Sequence, residues 1–92
     1  MAPTFEWDDE KAAVNLAKHN VSFEESATVF GDSLEVTVPD PRHSIGEQRY
    51  VSIGTSEKGR LLIVAYTECG NNIRIISCRE ATRRERRIYE EI

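Results

Sequence analysis

The apolar positions change period along the chain, and the changes outline the elements. In FEWD, residues 5–8, aromatic and acidic residues alternate as in a short edge strand, and Asp8 is placed to cap a helix starting at the next residue. That segment, DEKAAVNLAKH from Asp9 to His19, consists of helix formers with Ala13, Leu16 and Ala17 on one face, and Asn20 suits a left-handed stop. In VSFEESATVFGD, Ser22 and Glu25 form an S-x-x-E capping box while Phe23, Ala27 and Phe30 recur at helical spacing. Beyond Gly31-Asp32 the period shortens to two. LEVTV (34–38), QRYVSIG (48–54), RLLIVAYTE (60–68) and NIRIISC (72–78) are rich in β-branched and aromatic residues. The breaks at Lys58-Gly59 and Gly70-Asn71 are short enough to join antiparallel neighbours. Thr82 and Glu85 then form a second capping box, opening a helix through Tyr89.

The order predicts an α+β fold in one domain, residues 1–92: two N-terminal helices and a C-terminal helix packed on a mainly antiparallel sheet of four to five strands. The helices cover one sheet face well, so the second face is where a site can be built. Strict alternation places Arg60, Leu62, Val64 and Tyr66 opposite Leu61, Ile63 and Ala65, and Arg74, Ile76 and Cys78 opposite Ile73, Ile75 and Ser77. Neither face is purely polar, which directs the search for polar chemistry to the strand ends.

Composition narrows the class. The longest apolar run, LLIVAY, is far short of a membrane span, and MAPTFEWDDEK lacks the features of a signal peptide, so a cytoplasmic protein without membrane contact is expected. Cys69 and Cys78 have neither zinc-ligand spacing nor disulfide-scaffold density, and His19 and His43 belong to no metal-ligand motif. No metal and no cofactor is therefore expected. The net charge of −4 is unevenly spread: residues 1–40 carry two lysines against nine acids, residues 41–92 ten bases against seven acids. That split disfavours nonspecific binding of nucleic acid by the whole surface and leaves room for a local basic site in the C-terminal half.

Candidate chemistry gathers in PRHSIGEQRYVS, where His43, Glu47 and Arg49 are close and Glu47 and Arg49 share a strand face. A histidine, a carboxylate and a guanidinium suffice for phosphodiester transesterification, with one group removing the 2′-hydroxyl proton, one protonating the leaving oxygen and the arginine stabilising phosphate charge. On spacing alone, a loop histidine beside an exposed ion pair is the commoner arrangement. Arg79, with Arg74 before it, ends the last strand where a helix begins; it can hold an anion there or pair with an acid, and the residues leave both open. Arg83, Arg84, Arg86 and Arg87 alternate with glutamates and read as a solvated helix face, though they would also suit an acidic partner. Lys18 and His19 suit the C-terminus of the first helix, Trp7 and Tyr89 read as packing, and Tyr66 as either core or a phenol aimed into a groove.

Taken together and in order, F-x-W-D, a K-H turn followed by V-S-F-E-E, H-S then E-x-R, a G-R strand start, Y-T-E, and R-I-I-S-x-R before E-R-x-x-Y-E resemble the BrnT family of toxins from Phe5 to about Tyr89. Asn20 stands where the family usually has glycine and Cys78 where it tends to have alanine. The resemblance implies a RelE-like fold, metal-independent RNA cleavage that inhibits translation, and neutralisation by a cognate ribbon-helix-helix antitoxin through which DNA is bound only indirectly. It carries catalysis onto His43, Glu47, Arg49 and Arg79, and RNA binding onto Lys18, Arg60 and Arg74. It leaves homodimerisation open. The competing reading is a non-catalytic corepressor module that binds the antitoxin.

Overall fold

The computed structural model describes residues 3–40 and 48–91. Strand β1 (Thr4–Glu6) leads into α1 (Asp9–His19) and α2 (Phe23–Ala27), the latter continued by a 3-10 turn, Thr28–Gly31. Strands β2 (Val36–Pro39), β3 (Arg49–Thr55), β4 (Leu61–Cys69) and β5 (Asn72–Glu80) come next, and α3 (Arg83–Glu90) ends the chain. The five strands lie in the order β1-β5-β4-β3-β2, antiparallel except for the β1–β5 pair. This is the α+β arrangement expected from the hydrophobic pattern, as a mixed sheet because β1 returns beside the last strand.

Local chemistry accounts for the boundaries. The Asp8 carboxylate accepts from Lys11 N, Ser22 Oγ from Glu25 N, and Thr82 and Glu85 form a reciprocal capping box. Asn20 ends α1 at φ 57°, where its backbone N–H donates to Leu16 O. In the β4–β5 hairpin, Cys69 pairs with Asn72, so the turn is Gly70-Asn71 with Gly70 at φ 64°, and glycine supplies the positive φ that a two-residue turn needs at its first position.

Helices α1 and α2 and the 3-10 turn cover one sheet face. Val21, Phe23, Val29, Leu62, Val64, Tyr66, Ile75 and Cys78 are buried between these layers. Tyr66 belongs to this core: it is stacked on Tyr50 at 5.6 Å, meets Phe30 edge-on at 5.0 Å, and its hydroxyl accepts from Ser52 Oγ at 3.4 Å. Trp7 meets Phe23 edge-on at 5.9 Å, which ties the start of α1 to the core. Burial pushes the Cys78 thiol up to about 11. No helix among the described residues is long and apolar enough to cross a membrane.

Strict alternation fails on β5. Ala65 pairs with Ser77 but Tyr66 with Ile75, so Ile76 is an extra residue in a β-bulge. The bulge lets Ile73, Ile75 and Cys78 all turn toward the helices, while Arg74 and Ser77 are exposed and Arg79 half-buried. Arg74 and Arg79, assigned to opposite faces by a two-residue period, thereby come to share the face away from α1 and α2. A second device fixes the neighbouring residue. β1 pairs only with Asn72–Arg74, and beyond it the buried Asn15 of α1 takes the place of a strand partner. Its Nδ2 donates to Cys78 O (2.9 Å) and Val21 O (3.0 Å), and its Oδ1 accepts from Cys78 N (3.0 Å).

Candidate active site

On that second face, α3 covers only part of the sheet. Ile88 and Glu85 face Val36, Val51, Ile53 and Ile63 across a shallow apolar cavity, with Ile88 itself exposed. Beside it opens a second cavity of about 370 Å³ whose polar lining is Asp40, Arg49, Ser77, Arg79 and Glu85. Its floor is apolar, from Val51, Ile63, Ala65 and Ile76. Arg49 and Arg79, both expected from the sequence to serve catalysis, line the same cavity.

The sheet positions both. Arg49 opens β3 opposite Thr67, whose buried hydroxyl donates to Gln48 O at 2.6 Å, and Asp40 N donates to Arg49 O at 2.9 Å. The backbone on either side of residues 41–47 is thus joined at the cavity rim. Arg79 pairs in register with Ile63 one residue after the clamp that Asn15 places on Cys78.

Arg79 holds a bidentate ion pair across the strand-to-helix turn. Its Nη1 and Nη2 donate to Glu85 Oε1 and Oε2 at 2.7 and 2.8 Å, and Nη1 also donates to Glu80 O at 3.3 Å. Glu85 is fixed in turn by α3: its Oε1 accepts from Thr82 N at 2.9 Å, and its own N–H donates to Thr82 Oγ1 at 3.2 Å. The guanidinium, and after it the Thr82 N–H, hold the Glu85 carboxyl down to about 2 against the opposing effect of burial, and the same pairing raises Arg79. The pair is ionised throughout the neutral range.

The remaining candidates divide. Lys18 and His19 line a separate cavity of about 410 Å³ beside α1, together with Lys11, Asp8 and Glu10, and this cavity shares Ile76 and Ser77 with the first. The two cavities therefore meet at the β5 bulge. Arg74 is exposed, with Glu6 at 3.7 Å, and stands in one register row with Thr67 and Arg49. Arg60 does not join them. Its guanidinium is committed to Glu25, Glu80 and the Asn20 carbonyl, and Glu25 also accepts from Ser56 Oγ at 2.7 Å. His43 and Glu47 lie outside the described residues. Sequence reasoning did not single out Asp40, Ser77 or Glu85 as site residues. The T-x-x-E signature marked Glu85 as a cap, and only the fold shows that the same carboxylate also reaches Arg79.

With the geometry in place, comparison with known proteins decides the family. Residues 7–85 match the family described as the ribonuclease toxin BrnT of type II toxin-antitoxin systems. The chain belongs to the BrnT family. Both arginines of the cavity, the clamp residue Asn15 and Glu85 lie within the matched span. Among solved structures, the 1.1 Å crystal structure of the Brucella abortus ribonuclease toxin BrnT has the same fold, with a TM-score of 0.70 over 89% of this chain and 100% of that one at 21% identity. No curated protein sequence matches the chain. A BrnT family member is a ribonuclease toxin with an antitoxin partner.

Proposed function

We propose that this BrnT protein cleaves RNA at the cavity between β3, β5 and α3 by metal-independent transesterification. The observation that carries the proposal is that Arg49 and Arg79, from strands two apart in the sheet, line one cavity together with Asp40, whose N–H donates to Arg49 O. His43 and Glu47 belong to the stretch of sequence that joins Asp40 to Arg49.

In the proposed reaction, one of Glu47 and His43 removes the proton of a ribose 2′-hydroxyl, and that oxygen attacks the adjacent phosphorus. The bond from phosphorus to the 5′-oxygen breaks, and the other residue protonates the departing oxygen, leaving a 2′,3′-cyclic phosphate and a 5′-hydroxyl. Arg49 and Arg79 stabilise the charge that builds on the non-bridging oxygens. Lys18 and Arg74, at the adjoining cavity and in the Arg49 row, extend the cationic surface along the substrate. Arg60 serves the fold. Cleavage of messages in translation is the proposed toxic event, and the proposed neutralising partner is a ribbon-helix-helix antitoxin that also carries the contact with operator DNA.

The test is induction of the wild type, Arg79→Ala and Glu47→Ala in cells, with growth, RNA cleavage and circular dichroism measured for each. Growth arrest with cleaved RNA in the wild type, absent in both folded variants, is the expected result. A folded wild type that leaves RNA intact and growth unaffected overturns catalysis in favour of the corepressor reading.

A further inference from the structure

An arginine has five N–H donors, and the way Arg79 spends them is informative. The two end-on bonds to Glu85 take one hydrogen each from Nη1 and Nη2, and the second Nη1 hydrogen is directed to Glu80 O. Nε–H and the outer Nη2 hydrogen have no partner among the described residues. These two lie on the same edge of the guanidinium plane, spaced to meet two oxygens of one phosphate. The side chain is 42% exposed, and the residue lines the cavity. The carboxylate that clasps the other end is less mobile than a surface glutamate, because Thr82 binds it and its own backbone N–H within the first turn of α3.

We infer that Glu85 is a positioning residue for Arg79: the end-on clasp orients the guanidinium so that its side edge, Nε–H and Nη2–H, receives a substrate phosphate bidentately. This rests on the ribonuclease reading of the cavity and adds to it. The capping box of α3 then has two functions, since the carboxylate that starts the helix also aims the arginine. Glu85 never touches the substrate and transfers no proton. Its substitution acts through Arg79, and the step it affects is the one in which charge grows on the phosphate. The opposite role, a carboxylate that competes with phosphate for Arg79, predicts the opposite response to its removal.

The experiment combines nuclear magnetic resonance of the Arg79 Nε–H group with cleavage kinetics, in wild type and Glu85→Gln. The variant is isosteric, and its melting temperature is measured alongside. The probe is an oligonucleotide with a single 2′-deoxy substitution at the cleavage point, which cannot react; inorganic phosphate is titrated separately. In the wild type, the Nε–H signal is expected to be ordered and to shift on addition of either probe. In Glu85→Gln, that order and shift are lost, and kcat falls on the order of tenfold to a hundredfold while KM changes little. A variant that cleaves as fast as the wild type, or that binds the probe more tightly, overturns the inference. So does a wild-type Nε–H that ignores both probes while RNA is being cut. If RNA is not cut but phosphate still shifts Nε–H in a Glu85-dependent way, the ribonuclease reading fails and the positioning of an anion site by Glu85 stands.

Discussion

In an Arg60→Ala variant, a carboxylate that is almost wholly buried loses its counter-ion. Glu25 is 2% exposed and receives Arg60 through both Nε and Nη2, with Ser56 Oγ as its other donor. Truncating one partner of a buried ion pair costs about 3–5 kcal/mol, because the remaining charge stays desolvated. Water reaches the Arg60 side chain, which is 27% exposed, so the lower end, about 3 kcal/mol, is the appropriate expectation. For a domain of this size that corresponds to a fall in melting temperature of roughly 12–24 °C. Urea denaturation followed by tryptophan fluorescence measures it, with a lower midpoint at unchanged slope.

The pH dependence adds a sign. In the wild type, the Arg60 hydrogen bonds hold the Glu25 carboxyl below its usual range, a contribution present above the unfolded pKa and lost as pH falls through the folded one. Without Arg60, burial pushes the same carboxyl up, so the variant is relieved as acid protonates it. The stability gap between the two proteins should therefore narrow from pH 7 to pH 4. Adding Glu25→Gln to Arg60→Ala should recover part of the loss, since no buried charge then remains. The reasoning is refuted if Arg60→Ala unfolds within about 1 kcal/mol of wild type while losing RNA cleavage. That outcome would return Arg60 to the substrate-binding role the family resemblance implies.

Three further outcomes are expected from the same geometry. Arg49→Ala and Arg79→Ala should each lower RNA cleavage by on the order of a hundredfold or more, read in single-turnover assays on protein whose circular dichroism is unchanged. Asn15→Ala leaves Cys78 N–H, Cys78 O and Val21 O without their partner, and should cost about 3 kcal/mol in urea unfolding. Because Arg79 holds Glu85 down to about 2, that pair stabilises the fold above the unfolded glutamate range and loses its contribution as pH falls toward 2; Glu85→Gln should flatten the acid limb of a stability profile in that window.

The elements were legible where local chemistry sets them. Asp8, Asn20, Ser22 and Thr82 mark the helix ends both in the sequence and in the fold, because caps act within one turn. The mixed sheet was less legible, since nothing in FEWD says that it returns beside β5 in parallel. The largest difference lies on β5. A one-residue bulge leaves no mark in a β-branched run such as IRIIS, yet it inverts the facing of every residue beyond it and brings Arg74 and Arg79 to one face. The candidate site was legible as a set of residue types, but not as a sorting of arginines. Arg60 and Arg79 both pair with a glutamate; the partner of one is 35 positions away and buried, that of the other six away on a half-covered helix. Burial of Glu25 ties the Arg60 pair to the core, whereas the Arg79 pair stays partly exposed at the cavity.

That half-covered helix carries its own expectation. α3 has eight residues and none is buried; it is attached to the rest of the fold by the Arg79–Glu85 pair on the β5 side and by the Tyr89 hydroxyl, which donates at 2.7 Å to Asp32 Oδ2 in the segment before β2. A helix of this length is marginal in water by itself, so its persistence depends on those few attachments. Amides of α3 should therefore exchange with solvent at a free energy several kcal/mol below that of β4 and β5, whose ladder is the longest in the sheet and whose side chains form the core. Tyr89→Phe, which removes one attachment and no apolar surface, should speed exchange in α3 and leave β4 and β5 nearly unchanged. Equal protection of α3 and the central strands would mean that the helix is held by the core. The face that carries α3 could not then move apart from the rest of the fold.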